Sequence, residues 1–434
     1  MLLALGVTWC TFFTLCQARG AEVPFELKGG ERIVFFGDSI TQAGGYIADI
    51  EVFLLTRFPD RTFVMLNHGK SSETISGTSE LDHHPRRPDA HLRFTRDVVA
   101  WRPDVVVACF GMNDGNYHPF EPERFSRYQA GIQRMIARTR DEAHARLVLL
   151  SPPPFDPYRR LVGDPEAAAF GYKFPAVDYD QALERYSRWL LTLAGQDSRP
   201  TVVDIHGALG EHLRRRREGQ VSFYLSGDAV HPGPTGHWLM AQALLLAWRA
   251  PSKVAEVRIS AATEGPRVLA GAVERLACQG DGRLSFSWHT PLPLPIDPAW
   301  DGRSLELEQF TRGLNQYRMT IEGLPAARYR LLARVDGEPA EIEVTRLTRQ
   351  QLEQGLDLTS LERFPTVSLA RAVRTRVLNR RQTIDARWRS RIEHEASYRP
   401  EPSSAEFRGD DPAMVEIRGM CRQRDIHVQL VPLE

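Results

Sequence analysis

The chain has 434 residues, a length for two or three domains at roughly 100–200 residues each. It is 42% hydrophobic and 25% charged, with 55 Lys and Arg against 55 Asp and Glu, the composition of an ordinary globular protein. Without a net basic field a general nucleic-acid binder is excluded as a class, and only a local basic patch stays open.

Residues 2–15 are almost wholly apolar, and Ala18-Arg19-Gly20 forms a small-x-small site before Ala21. The pattern predicts a signal peptide over 1–20, cleaved after Gly20, and hence a secreted or periplasmic protein. No Lys or Arg precedes the apolar stretch, so an uncleaved anchor or a misassigned start is the alternative. The run is too short to span a bilayer comfortably. No other long apolar run exists, so no stable membrane insertion is expected after cleavage. Cys10 and Cys16 leave with the leader, and Cys109 reads as a small buried hydrophobe. Whether Cys278 and Cys421 pair is left open.

From about residue 30 to 250, apolar strands alternate with amphipathic stretches. The strands are expected at 32–36, 62–66, 104–110, 147–151 and 201–205, and helices at 46–57, 92–101, 122–140, 179–193, 205–216 and 235–248. Such alternation predicts an α/β domain over 21–252, a three-layer α/β/α doubly wound parallel sheet of flavodoxin-like order 2-1-3-4-5. The proline-rich stretch after Ser151 cannot be helical. It is either part of a site rim or a plain surface connection. A β-rich accessory region follows over 253–345, with strands near 253–259, 283–287, 317–321, 329–335 and 340–344. Asp336-Gly337 is a hairpin signal there, and 291–295 reads as an extended polyproline-like segment. The last region, 346–434, reads as a basic helix over 366–391 and then irregular chain. The arginines of that helix suggest a solvated face more than a nucleic-acid surface.

Four segments carry chemistry. Ile33-Val34-Phe35-Phe36 is a buried parallel strand that stops at Gly37-Asp38-Ser39. Ser39 therefore lies on the carboxyl edge of the sheet, where such folds place ligands. A helix cap would look the same. A serine hydroxyl needs an adjacent base to act as a nucleophile. Asp228-Ala229-Val230-His231, in a loop dense in Gly and Pro, offers His231 as the base and Asp228, three residues earlier, as its orienting carboxylate. Gly69 after the second strand and Asn113 after the third can converge beside Ser39 as oxyanion donors. Taken singly, each of these residues also fits ordinary turn geometry. Asp82, His83, His84 and His91 form a lesser cluster, read as a rigid connector that shapes access more than as a metal site. His206 and His237 are read as structural, and Asp38 and Asp114 as loop-fixing residues.

In this order the segments resemble the SGNH hydrolase superfamily, also called GDSL-type esterases, over about residues 30–250. The matching blocks are Gly37-Asp38-Ser39-Ile40, Asn67-His68-Gly69 followed by Ser72-Glu73-Thr74, Gly111-Met112-Asn113-Asp114, and Asp228 to His231. Ser72 stands where the family usually has glycine. The resemblance implies a serine esterase with the triad Ser39, Asp228 and His231. It implies an oxyanion hole of the Ser39 and Gly69 amides with the Asn113 side chain, and no cofactor or metal. By family analogy the partner is a small-molecule or glycan ester, with a short acyl group such as acetyl on carbohydrate. The alternatives are a lipase or thioesterase for longer chains, or an inactive carbohydrate-binding protein.

Overall fold

The computed structural model describes residues 25–164, 176–195, 200–261, 265–394 and 408–433. The expected signal peptide lies outside the described residues. Five parallel strands form the first sheet: β1 (Arg32–Gly37), β2 (Val64–Gly69), β3 (Val105–Cys109), β4 (Arg146–Leu150) and β5 (Thr201–Val203). Their order is β2-β1-β3-β4-β5, the flavodoxin-like order expected of this alternation. The helices between them are α1 (Ser39–Ala43), α2 (Gly45–Arg57), α3 (Ala90–Asp97), α4 (Pro122–Arg138), α5 (Tyr158–Leu161), α6 (Ala176–Leu191), α7 (Ile205–Gly219) and α8 (Pro234–Ala247).

Alternate strand residues feed two cores. Ile33, Phe35, Val105 and Val107 face α2 and α8, whereas Val34, Phe36, Val106 and Ala108 face α3 and α4. A sheet buried on both faces is why its strands read as unbroken apolar runs.

The accessory region holds two further sheets. The strands are β6 (Lys253–Ser260), β7 (Arg267–Ala270), β8 (Val273–Cys278), β9 (Leu284–Thr290), β10 (Gln316–Glu322), β11 (Arg328–Val335), β12 (Ile342–Thr348), β13 (Leu356–Asp357) and β14 (Arg424–Pro432). They pair as β13-β10-β6-β7 and β12-β11-β14-β9-β8. The two sheets enclose one core, with Val257, Met319 and Ile321 from the first meeting Phe286, Leu331 and Val428 from the second. Short helices α9 (Gly302–Leu307), α10 (Phe310–Gly313) and α11 (Arg349–Gln354) connect them.

The described part of the final segment is not irregular. It forms α13 (Pro412–Cys421) and then β14, an inner strand between β9 and β11. Its buried residues Ile426, Val428 and Leu430 alternate at period two. Cys278 is exposed on β8 and Cys421 buried on α13, and both are free thiols.

The basic stretch is α12 (Pro365–His394), 30 residues long. Arg376 and Arg387 are exposed, as expected of a solvated face, but three other arginines are largely buried in ion pairs. Arg374 bridges Asp49 of α2 at 2.8 Å and Asp297 at 2.7 Å, Arg380 pairs with Asp411 at 2.6 Å, and Arg381 pairs with Glu51. The helix also joins the cores. Val367 sits between the accessory sheets, Val373 and Val377 against α2, and Trp388 on the opposite face of the first sheet. There Trp388 stacks on His68 of β2 at 4.4 Å. Among the described residues no helix is long and apolar enough to cross a membrane.

Trp388 is 1% exposed. Trp388→Ala is expected to destabilise the protein by about 3–5 kcal/mol through the cavity it leaves. Denaturant unfolding measures this, and a loss under about 1 kcal/mol would show that the end of α12 does not hold the sheet.

Candidate active site

Gly37 closes β1 where no side chain fits. A Cβ there would lie 2.3 Å from Thr41 Oγ1 and 2.6 Å from the Cys109 carbonyl. Asp38 then caps α1, its Oδ1 accepting the Ile40 amide at 2.9 Å. Ser39 is consequently the first helical residue, and its own amide has no intrahelical acceptor. Asp38 is buried. Burial pushes its carboxyl up to about 7, opposed by the Ile40 hydrogen bond and the nearby His231.

The loop before α8 brings the base. It turns through Ala229 in the left-handed region, at φ 76°, which curls Asp228 back toward His231. Asp228 Oδ1 accepts the amides of Val230 at 3.0 Å and His231 at 2.8 Å. Asp228 Oδ2 lies 2.6 Å from His231 Nδ1, and His231 Nε2 lies 2.7 Å from Ser39 Oγ. A carboxylate on Nδ1 fixes that nitrogen as the donor and leaves Nε2 to accept the serine proton. Burial opposes ionisation of Asp228, but the hydrogen bonds from the His231 ring and the two amides outweigh it and bring the group down to about 2. The hydrogen bond to Asp228 raises His231 against partial burial.

The proline-rich stretch after β4 is a rim of this site. Asp156 donates its amide to the Ala229 carbonyl at 2.9 Å and accepts the Leu225 amide at 3.2 Å. Arg159 donates to the Gly227 carbonyl at 3.3 Å. The loop that carries Asp228 and His231 is thus tied down from β4.

Asn113 follows β3 and is buried at 3% exposure. Its Nδ2 donates to the Glu73 carbonyl at 3.1 Å, leaving one amide hydrogen uncommitted. Asp114 Oδ1 accepts the Ile75 and Ser76 amides at 3.0 and 2.9 Å, joining the β2 and β3 loops. Burial pushes Asp114 up to about 6 against those bonds.

Gly69 is the exception among the expected site residues. Its amide donates to Asn67 Oδ1 at 3.1 Å, within its own strand end, so that donor is already engaged. The glycine serves packing: a Cβ would sit 2.2 Å from the Gln42 backbone nitrogen of α1. Ser72, three residues on, has φ 62° and an amide without an acceptor among the described residues. The signal in the sequence was a serine at a usual glycine position, since glycine enters the left-handed region freely.

The other candidate histidines are engaged elsewhere. His91 Nε2 lies 3.0 Å from the Gly131 carbonyl, and His83 Nδ1 lies 2.6 Å from the Pro85 carbonyl. Among the described residues no three His, Cys, Asp or Glu side chains are grouped to hold a metal. His206 faces Asp180 at 3.3 Å. His237 stacks on Tyr46, and burial lowers it to about 4.

Residues 35–239 match the GDSL-like lipase/acylhydrolase family. An acetylxylan esterase of Geobacillus stearothermophilus is 24% identical over 246 residues, covering 51% of this chain and 94% of that protein. Among solved structures, a gut microbial diltiazem-metabolizing enzyme superposes with a TM-score of 0.76 at 19% identity, over 95% of this chain and 100% of that one. The last likeness extends the shared fold through the accessory sheets.

Asp228 holds the imidazolium form of His231, so the ring should titrate above its ordinary value of about 6.5. Asp228→Asn removes the raising partner and leaves burial, so the midpoint should fall below that of the parent. An NMR titration of the ring checks both, and an unchanged midpoint in the variant would break the assigned coupling.

Proposed function

Because residues 35–239 form an SGNH hydrolase domain and the chain is an ester-bond hydrolase, we propose that it removes short acyl groups, chiefly acetyl, from carbohydrate through an acyl-enzyme. One observation carries the reading: the continuous hydrogen-bond chain from Asp228 through His231 to Ser39.

In this mechanism Ser39 Oγ bonds to the ester carbonyl carbon while His231 Nε2 takes its proton. The carbonyl oxygen becomes an oxyanion, held by the Ser39 amide and the second Nδ2 hydrogen of Asn113. Collapse breaks the bond to the alcohol, and the departing alkoxide receives the proton from His231. Water then attacks the acyl carbon, giving its proton to His231, which returns it to Ser39 as the carboxylic acid leaves. Asp228 stabilises the imidazolium at both stages.

Two features support a carbohydrate alcohol. The His231 side chain is 41% exposed, so the site is shallow enough for a bulky, hydrated leaving group. Arg159, which donates to the Gly227 carbonyl in the loop of His231, adds a polar group beside that loop that suits hydroxyls better than a long acyl chain. The acetylxylan esterase relative supports the same choice. Export is part of the proposal and rests on the apolar segment before Ala21; N-terminal sequencing of protein recovered outside the cytoplasm should begin at Ala21.

Acetate release from a panel of acetylated glycans, run beside chromogenic esters of increasing chain length, tests the reading. Acetyl esters should be preferred, and Ser39→Ala should lower kcat by about 10⁴-fold or more. The acid limb of kcat/KM should lie above about pH 6.5, because protonated His231 cannot accept the serine proton. Preference for octanoyl over acetyl esters would favour a lipase instead, and wild-type activity in Ser39→Ala would remove the esterase assignment.

A further inference from the structure

Asn113 is held by groups that sequence motifs did not single out. Its Oδ1 accepts from Arg87 Nη1 at 3.0 Å and from the Tyr117 hydroxyl at 3.1 Å. Arg87 is 8% exposed, in the connector between β2 and α3 that also carries Asp82, His83 and His84. Glu80 grips it bidentately, with Nε to Oε2 at 2.6 Å and Nη2 to Oε1 at 2.7 Å. The guanidinium also lies 5.4 Å from the centre of the Tyr117 ring. The connector is anchored at both ends, since the Thr74 amide donates to the Pro88 carbonyl and the Ala90 amide to the Thr74 carbonyl, each at 3.0 Å.

These contacts decide which way the Asn113 amide points. A guanidinium only donates, so the group facing Arg87 must be Oδ1. The Glu73 carbonyl only accepts, so the group facing it must be Nδ2. The two constraints agree, and flipping the amide would break both. The geometry points to Arg87 as a positioning residue for the oxyanion hole: it fixes Asn113 with Nδ2 toward the reacting carbonyl and, by withdrawing density through Oδ1, strengthens Nδ2–H as a donor when negative charge develops. Glu80 keeps the fork of Arg87 in register, and its negative charge offsets the buried cation. Arg87 itself touches neither substrate nor Ser39.

This inference rests on the esterase reading, and the two fail differently. An active Ser39→Ala removes the reading, whereas an inactive Ser39→Ala beside a fully active Arg87→Met removes only the role of Arg87. Arg87→Met keeps the length and apolar stem but has no donor. On a chromogenic acetyl ester, kcat should fall about 10- to 100-fold with KM within about two-fold. The deciding measurement is a double-mutant cycle with Asn113→Ala. If Arg87 acts through Asn113, Arg87→Met should change kcat less than about two-fold in the Asn113→Ala background. Arg87→Lys, which keeps charge and a donor, should recover part of kcat and guards against a methionine variant that does not fold. Losses that multiply in the cycle, or a raised KM with kcat unchanged, would overturn the proposal and leave Arg87 a structural tie of the connector.

Discussion

The hydrogen bond between His231 and Ser39 joins residues 192 positions apart, and most of the α/β domain exists to make that contact. One end is fixed by β1 stopping at Gly37, where only glycine lets the chain pass between Thr41 and the Cys109 carbonyl. The other is fixed by a loop whose backbone is held by Asp156 and Arg159 from the segment after β4. Helix α2, which follows Ser39, packs on α8, which follows His231, so the two ends also share one core. The contact is therefore set by elements too rigid to drift, which suits a proton transfer that needs heavy atoms within hydrogen-bond reach.

What was legible in the sequence follows from locality. The strand at 33–36 is buried on both faces, so composition alone marks it, and the turn that follows carries its chemistry within three residues. The same holds for Asp228 and His231, which contact each other across a single turn. A glycine at a strand end such as Gly69 fits two needs, a free amide and close packing, and only the position of α1 reveals the second. Arg87 was invisible because Asn113, the partner that gives it a role, lies 26 residues on in the loop after β3. The strand at 424–432 has clear alternation, yet its neighbours are β9 and β11, more than ninety residues back, with no turn to announce the pairing.

The charge balance of the chain takes on another meaning in the structure. Asp49 and Glu51 on α2 are 2% and 4% exposed, positions that exclude carboxylates unless they are paired. Arg374, Arg380 and Arg381 supply those partners from α12. Arginine serves here because its fork can meet carboxylates from two elements at once, as Arg374 does with Asp49 and Asp297. A basic helix read in isolation thus resembles a surface for anions, whereas its complement was already present some 320 residues earlier.

That pairing explains why the C-terminal region is more than an appendage. β2 is the outer strand of the first sheet, and an uncovered outer strand offers its free amides and carbonyls to any other strand. Helix α12 places Val377 in the core on one face of that sheet and Trp388 in the core on the other, so it must pass over the outer edge of β2. At the crossing, Asp385 accepts from Asn67 Nδ2 at 3.2 Å while Asn67 Oδ1 takes the Gly69 amide. The covering helix therefore orients the side chain that engages Gly69, at the strand end from which the Ser72 turn departs. The outer strand and one side of the site are held by the same helix, so the C-terminal region bears on the geometry around Ser39 without contributing a residue to the hydrogen-bond chain.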